Sequence, residues 1–206
     1  MEKTLSRREK ERLKRREYIL DVALELFSSK GYHNVTMHEI AKKSEFAIGT
    51  LYTFFKNKEE LYRSLLIHKS DAFHTQVEEV LDTPGDEVEK LRNYVLTLRT
   101  IFQKNADCIR LYFAETRGSC FNPKAGLDEE MKSRHRKILQ RLAAVFEQGI
   151  KSKRFRPLGE PTYLAHCLDS LCNLHLFLWL ENPTDNPYPE DPDKILNILF
   201  YGLLAS

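Results

Sequence analysis

No two cysteines in this chain are spaced as CxxC, no Asn-Gly hairpin occurs, and no apolar–polar alternation lasts long enough to make a strand. The four cysteines, Cys108, Cys120, Cys167 and Cys172, stand apart from one another, which reads as buried reduced thiols rather than a disulfide framework. The N-terminus is charged from the start and lacks the apolar segment of a secretory leader. The most apolar stretch, Leu174 to Leu180, is interrupted by His175 and falls far short of the ~20 residues a membrane span needs. A cytoplasmic protein without a membrane partner is therefore expected. Charge of one sign is also missing: 32 Lys and Arg against 30 Asp and Glu leave a net charge of +2, so only local clustering of charge can point to a nucleic acid. With no nucleophile elbow, phosphate loop or carboxylate pair at a recognisable spacing, the chain does not read as an enzyme, and no cofactor is implied.

What is present is helical periodicity. Across 206 residues, 42% of them hydrophobic, there is material for a real core. Residues 3–16 form a basic arm with Arg7, Arg8, Arg15 and Arg16, which serves either as a solvated helix extension or as a contact to DNA. Leu20, Ala23, Leu24 and Phe27 then set one face of a helix over Tyr18–Lys30, closed by Gly31. Thr36 with Glu39 makes a capping box for a short helix ending near Lys43–Ser44. A second short helix fits Ala47–Phe54, with Leu51, Phe54 and Phe55 inward, and Asn57 with Glu60 opens a longer one. Two short helices around a tight turn form a helix-turn-helix, whose second helix can enter a major groove. Further helices are expected after the Thr83-Pro84-Gly85-Asp86 linker, where Asp86 with Glu89 caps the first of them, over Ala106–Thr116, from Leu127 to Lys153, over Tyr163–Leu180 and over Ile195–Leu204, with a loop between Gly118 and Gly126. The fold class is all-α, with about nine helices.

Thr36, Ile40, Ala41, Gly49-Thr50-Leu51-Tyr52, Phe55 and Asn57-Lys58-Glu59-Glu60-Leu61 resemble, without a gap, the tetracycline-repressor (TetR) family of bacterial regulators. The resemblance is close over residues 15–62 and beyond them is one of length and helical pattern. It implies a DNA-binding domain over 1–62 and a ligand-sensing, dimerising domain over 63–206. It also implies that Thr36, His38, Tyr52 and Lys58 hold the DNA backbone while Ile48, Thr50 and Thr53 meet base edges. Ala47 and Ile48 suit thymine methyls, and Gly49 adds no bulk. Two positions depart from the pattern. Glu45 stands where the turn usually carries glycine, and Phe54 stands where histidine or tyrosine is usual, which removes a phosphate contact.

The last two helices are apolar on more than one face, so each must bury more than one. The resemblance implies a homodimer in which segments about 161–181 and 190–204 pair across a four-helix bundle. Phe102, Tyr112, Phe113, Phe146, Leu168, Cys172 and His175 are candidates to line an apolar pocket for a hydrophobic or aromatic effector. The function this implies is a ligand-responsive transcriptional regulator of double-stranded DNA, a repressor released from a palindromic operator. The alternatives are a metal- or redox-sensing regulator built on Cys108, Cys167, Cys172 and His175, and an all-α ligand-binding dimer without DNA binding. No metal-ligand set is completed by spacing alone.

Overall fold

Ser6 starts the first helix. Its hydroxyl accepts from the Glu9 N–H at 3.3 Å, and its own N–H donates to Glu9 Oε2 at 2.8 Å, a reciprocal capping box. In the computed structural model, which describes residues 6–115 and 129–201, this cap launches α1 (Arg7–Lys30). The helix read from Tyr18 thus begins at Arg7, and the basic arm from Arg7 onward is its first turns. Local pairing explains the extension: Arg7 Nε lies 3.1 Å from Glu11 Oε1, one turn on. Gly31 ends α1 at φ 81°, where glycine carries no Cβ penalty, and its N–H donates to the Phe27 carbonyl at 2.8 Å.

Among the described residues there are nine helices and no strand. After α1 come α2 (Met37–Lys43), α3 (Ile48–Phe54), α4 (Lys58–Asp82), α5 (Glu87–Lys104), α6 (Ala106–Glu115), α7 (Glu129–Lys151), α8 (Pro161–Glu181) and α9 (Asp193–Phe200). The chain divides into two compact units. The first runs to Lys69 and takes up the chain again from Asp107; the second takes Ser70–Ala106 and, of the later described residues, 129–201. The division falls inside α4.

In the first unit, α1 to α3, the start of α4 and α6 close on one core. Ile19, Leu20, Ala23, Phe27, Val35, Ile40, Leu51, Phe55, Leu61 and Leu65 are all but fully buried there. Those from α1 recur at the spacing of one helical face, which is why the sequence pattern located it. Phe54, expected inward, is only half-buried.

In the second unit α7 and α8 pack along each other, and α5 and α9 pack against both or one of them. Asp86 caps α5 by accepting from the N–H groups of Val88 (2.9 Å) and Glu89 (3.2 Å), as its sequence position implied. Gly149 lies buried in α7, where a Cβ would stand 2.2 Å from Cδ2 of Phe155. Phe155 in turn stacks on Phe200 of α9, with centroids 5.9 Å apart. The loop expected over Gly118–Gly126, the helix start at Leu127 and the end of the last helix at Leu203–Leu204 lie outside the described residues. No helix among the described residues is long and apolar enough to cross a membrane.

Candidate DNA-binding surface and sensor core

The turn between α2 and α3 answers the question posed by Glu45. The Glu45 N–H donates to the Lys42 carbonyl at 3.3 Å and the Phe46 N–H to the Ala41 carbonyl at 3.0 Å, with Glu45 itself at φ 59°. That pair of bonds is a Schellman closure, and it holds the left-handed residue in place although it is not glycine. Ser44, 2% exposed, turns its hydroxyl back onto the Ile40 carbonyl at 2.7 Å. Phe46 packs edge-on against Tyr18 of α1 at 6.3 Å between centroids. The angle between the two short helices is thus held by backbone bonds and one aromatic anchor.

Around this turn the expected DNA-facing residues divide. Thr36 and His38 are exposed at the start of α2, with the Thr36 side chain committed to the cap: it accepts from the Glu39 N–H at 3.2 Å. Ala47, Gly49, Tyr52 and Thr53 are exposed along α3, with Tyr52 at 50%. Tyr52 is therefore no core aromatic. Thr50 is half-buried, and the Thr53 hydroxyl donates to its carbonyl at 2.7 Å. Ile48 is half-buried and packs partly against the core cluster, so only part of its side chain is available to a partner.

Lys58, to which the resemblance gave a phosphate-holding role, has its ammonium engaged within the protein in this structure. Its ammonium donates to the carbonyls of Tyr32 (2.9 Å), Val35 (2.9 Å) and His33 (3.4 Å) and sits 4.4 Å from the Tyr32 ring centroid. Three donors therefore close the connection between α1 and α2, because that connection leaves carbonyls without helical partners. Two ion pairs brace the same helices, Lys30–Glu39 at 3.0 Å and Lys43–Glu25. The Lys30 pairing, with the Thr36 N–H and hydroxyl, pulls the Glu39 carboxyl down to about 2.

Of the sensor candidates, Phe102, Phe146, Leu168 and Cys172 are buried and His175 is half-buried in the second unit, whereas Tyr112 and Phe113 of α6 belong to the first. Three of them converge on a residue that the sequence pattern did not single out. Tyr188, from the connector between α8 and α9, is 2% exposed and sets its ring edge-on to Phe102 (5.5 Å) and His175 (6.2 Å), with its hydroxyl towards the Cys172 thiol. The space between these candidates is thus filled by a side chain of the protein itself. Phe146 instead borders a cleft of about 370 Å³ that it shares with Arg92, Arg154, Phe155, Arg156 and Phe200.

Of the described thiols, Cys108 and Cys172 are buried and Cys167 is half-buried. Burial pushes Cys108 up to about 11 and raises Cys172 further, so neither supplies thiolate near neutral pH. Among the described residues no group of three or more His, Cys, Asp or Glu side chains is arranged to hold a metal ion.

A helix-turn-helix whose second helix exposes Gly49, Tyr52 and Thr53, followed by a second helical unit, is the architecture of a DNA-binding transcriptional regulator. Residues 19–65 match the sequence profile described as bacterial regulatory proteins, tetR family. The chain is 29% identical over 185 residues to the fatty acid metabolism regulator protein of Bacillus subtilis, covering 90% of this chain and 93% of that one. It is 24% identical over 143 residues to the transcriptional repressor KstR2 of Mycobacterium tuberculosis, covering 69% and 70% of the two chains. The crystal structure of the regulator FadR from Bacillus subtilis in complex with stearoyl-CoA superposes with a TM-score of 0.72 at 22% identity, covering 91% of this chain and 99% of that one. Residues 19–65 thus carry the tetR-family sequence pattern, and along most of its length the chain is similar to bacterial regulators of this kind.

Proposed function

We propose that the protein is a homodimeric repressor that reads a palindromic operator with α3 and is released from it by a long-chain, hydrophobic effector such as an acyl-CoA. Gly49 carries the DNA half of this reading. It lies inside a seven-residue helix, where glycine costs up to about 1 kcal/mol relative to alanine, yet a Cβ built there meets nothing within 4 Å. The fold gives no reason for the missing side chain. Close approach of an external surface does, and the exposed Ala47, Tyr52 and Thr53 lie around it on the same short helix.

The dimer rests on apolar surface that the second unit leaves uncovered. Tyr163 and Leu174 on α8 and Ile198 on α9 are exposed, and Leu171 and Phe177 are half-exposed. A second copy of the same face covers them with two-fold symmetry. The effector class is supported by the stearoyl-CoA bound to the Bacillus subtilis FadR structure and by the aromatic and aliphatic composition of the second unit. The mechanism is a population shift. Dimers place two α3 helices about 34–36 Å apart, or a multiple of this, to match successive major grooves. An effector that prefers another separation weakens DNA binding by its differential affinity for the two states. α4, which contributes residues to both units, is the element through which that preference passes.

The test is fluorescence anisotropy with the duplex upstream of the protein's own gene, with and without stearoyl-CoA. Gly49→Ala is expected to melt higher than the parent and bind the duplex more weakly. Unchanged DNA affinity in that variant removes the α3 reading. Unchanged affinity of the parent at saturating stearoyl-CoA removes the effector class.

A further inference from the structure

The geometry points to a phosphodiester-binding position that the helix-turn-helix pattern does not contain: the guanidinium of Arg12 on α1, seated on the ring of Phe54 at the C-terminal end of α3. This inference rests on the reading of α3 as the DNA-facing helix. Arg12 Cζ lies 5.7 Å from the Phe54 centroid, and Arg16 Cζ, one turn further along α1, lies 5.2 Å from the Phe55 centroid. Arg8, Arg12 and Arg16 follow one another at i, i+4, so they form one row along a helix face.

The two stacked arginines are not equivalent. Phe55 is 1% exposed and part of the core, and the half-buried Arg16 covers it. Phe54 is half-exposed, Arg12 is exposed, and among the described residues no carboxylate pairs with Arg12. Arg7, by contrast, is held by Glu11. A guanidinium lying on an aromatic face keeps its in-plane N–H groups free and fixed in direction. Those donors form a fork that matches two oxygens of one phosphodiester. Phe54 has no polar tip of its own, although the pattern this sequence resembles places histidine or tyrosine there. Its ring instead offers a seat, and α1 supplies the charge. The turns of α1 from Arg7 to Arg15 are exposed throughout, which leaves them available for this role.

The experiment uses the full chain and two duplexes of equal length, the DNA upstream of its own gene and a mixed sequence. Anisotropy titrations over a range of salt concentrations compare the parent with Arg12→Ala, Phe54→Leu and the double variant. Melting curves establish that each variant is folded. Arg12→Ala is expected to weaken both duplexes alike and to lower the slope of log K against log salt by about 0.9 per lost phosphate contact. Phe54→Leu should weaken binding in the same direction, Phe54→Trp should retain it, and the double variant should bind no worse than Arg12→Ala alone. An unchanged salt slope in Arg12→Ala, or losses at the two positions that simply add, overturns the assignment. Failure of the parent to bind either duplex at low salt instead removes the DNA-binding reading on which it rests.

Discussion

The ammonium of Lys58 meets Tyr32 twice, by a 2.9 Å hydrogen bond to its backbone carbonyl and by lying 4.4 Å from the centroid of its ring. With the Val35 and His33 carbonyls completing the set, this lysine holds the path from α1 into α2. Charge-assisted bonds of this kind contribute about 1.5–3 kcal/mol. Lys58→Met is therefore expected to lower the stability of the helix-turn-helix by that order in urea unfolding. Its DNA salt slope should stay that of the parent. A slope reduced by about 0.9 with stability intact would instead put the ammonium on a phosphate.

Glu45 occupies a left-handed backbone position that costs a non-glycine residue about 1 kcal/mol. Its two closing hydrogen bonds are made by backbone alone, so a glycine retains them. Glu45→Gly is expected to raise the melting temperature, by somewhat less than that full amount because glycine also widens the unfolded ensemble. Glu45→Ala, which keeps the Cβ, should leave it near the parent value.

Glu39 sets an acid limit on the same domain. Its carboxyl is lowered from an ordinary 4.5 to about 2 by Lys30, then by the N–H and hydroxyl of Thr36. A depressed folded value means that the carboxylate's contribution is complete above about pH 4.5 and is lost as pH falls from there towards 2. Melting temperatures recorded across that window should fall in the parent and fall less in Glu39→Gln. Glu9, lowered by its own cap with Ser6, leaves a residual slope in the variant.

What was legible in the sequence was local. The Thr36–Glu39 and Asp86–Glu89 caps, the Gly31 stop and the α1 core face depend on residues three to seven positions apart, and each stands where the pattern placed it. Arg7 to Glu17 was harder to assign, because an exposed helix without apolar periodicity has the same composition as an unstructured arm. The Ser6–Glu9 box was the signal that could have resolved it. Lys58 and Tyr188 were beyond reach for another reason. Their partners lie on other elements, 26 positions away in the case of the Tyr32 carbonyl, and no periodicity records which carbonyl or which ring a side chain will meet.

Gly149 and Phe155 make a similarly remote constraint testable. A Cβ at 149 would stand 2.2 Å from the Phe155 ring, which is itself wedged between Phe146 (5.9 Å) and Phe200 (5.9 Å). Neither neighbour leaves the ring an easy retreat. Gly149→Ala is expected to cost about 1–3 kcal/mol despite alanine's better helix propensity, and Phe155→Leu in the same chain should recover part of it. Chemical denaturation of the two single variants and the double variant measures both effects.

Tyr188 offers the sharpest contrast between ring and hydroxyl. The ring is packed against Phe102 and His175, so Tyr188→Ala should cost about 3–5 kcal/mol and open the neighbouring Cys172 thiol to alkylation. The hydroxyl is buried without a well-formed hydrogen bond: it faces the Cys172 thiol, a weak and poorly aligned partner. A buried, unsatisfied hydroxyl opposes folding, and deleting it while keeping the ring removes that penalty. Tyr188→Phe is therefore expected to match or exceed the parent in urea unfolding, with Cys172 still protected from iodoacetamide. A loss above about 1 kcal/mol in Tyr188→Phe would mean that the hydroxyl–thiol contact is a true hydrogen bond in solution.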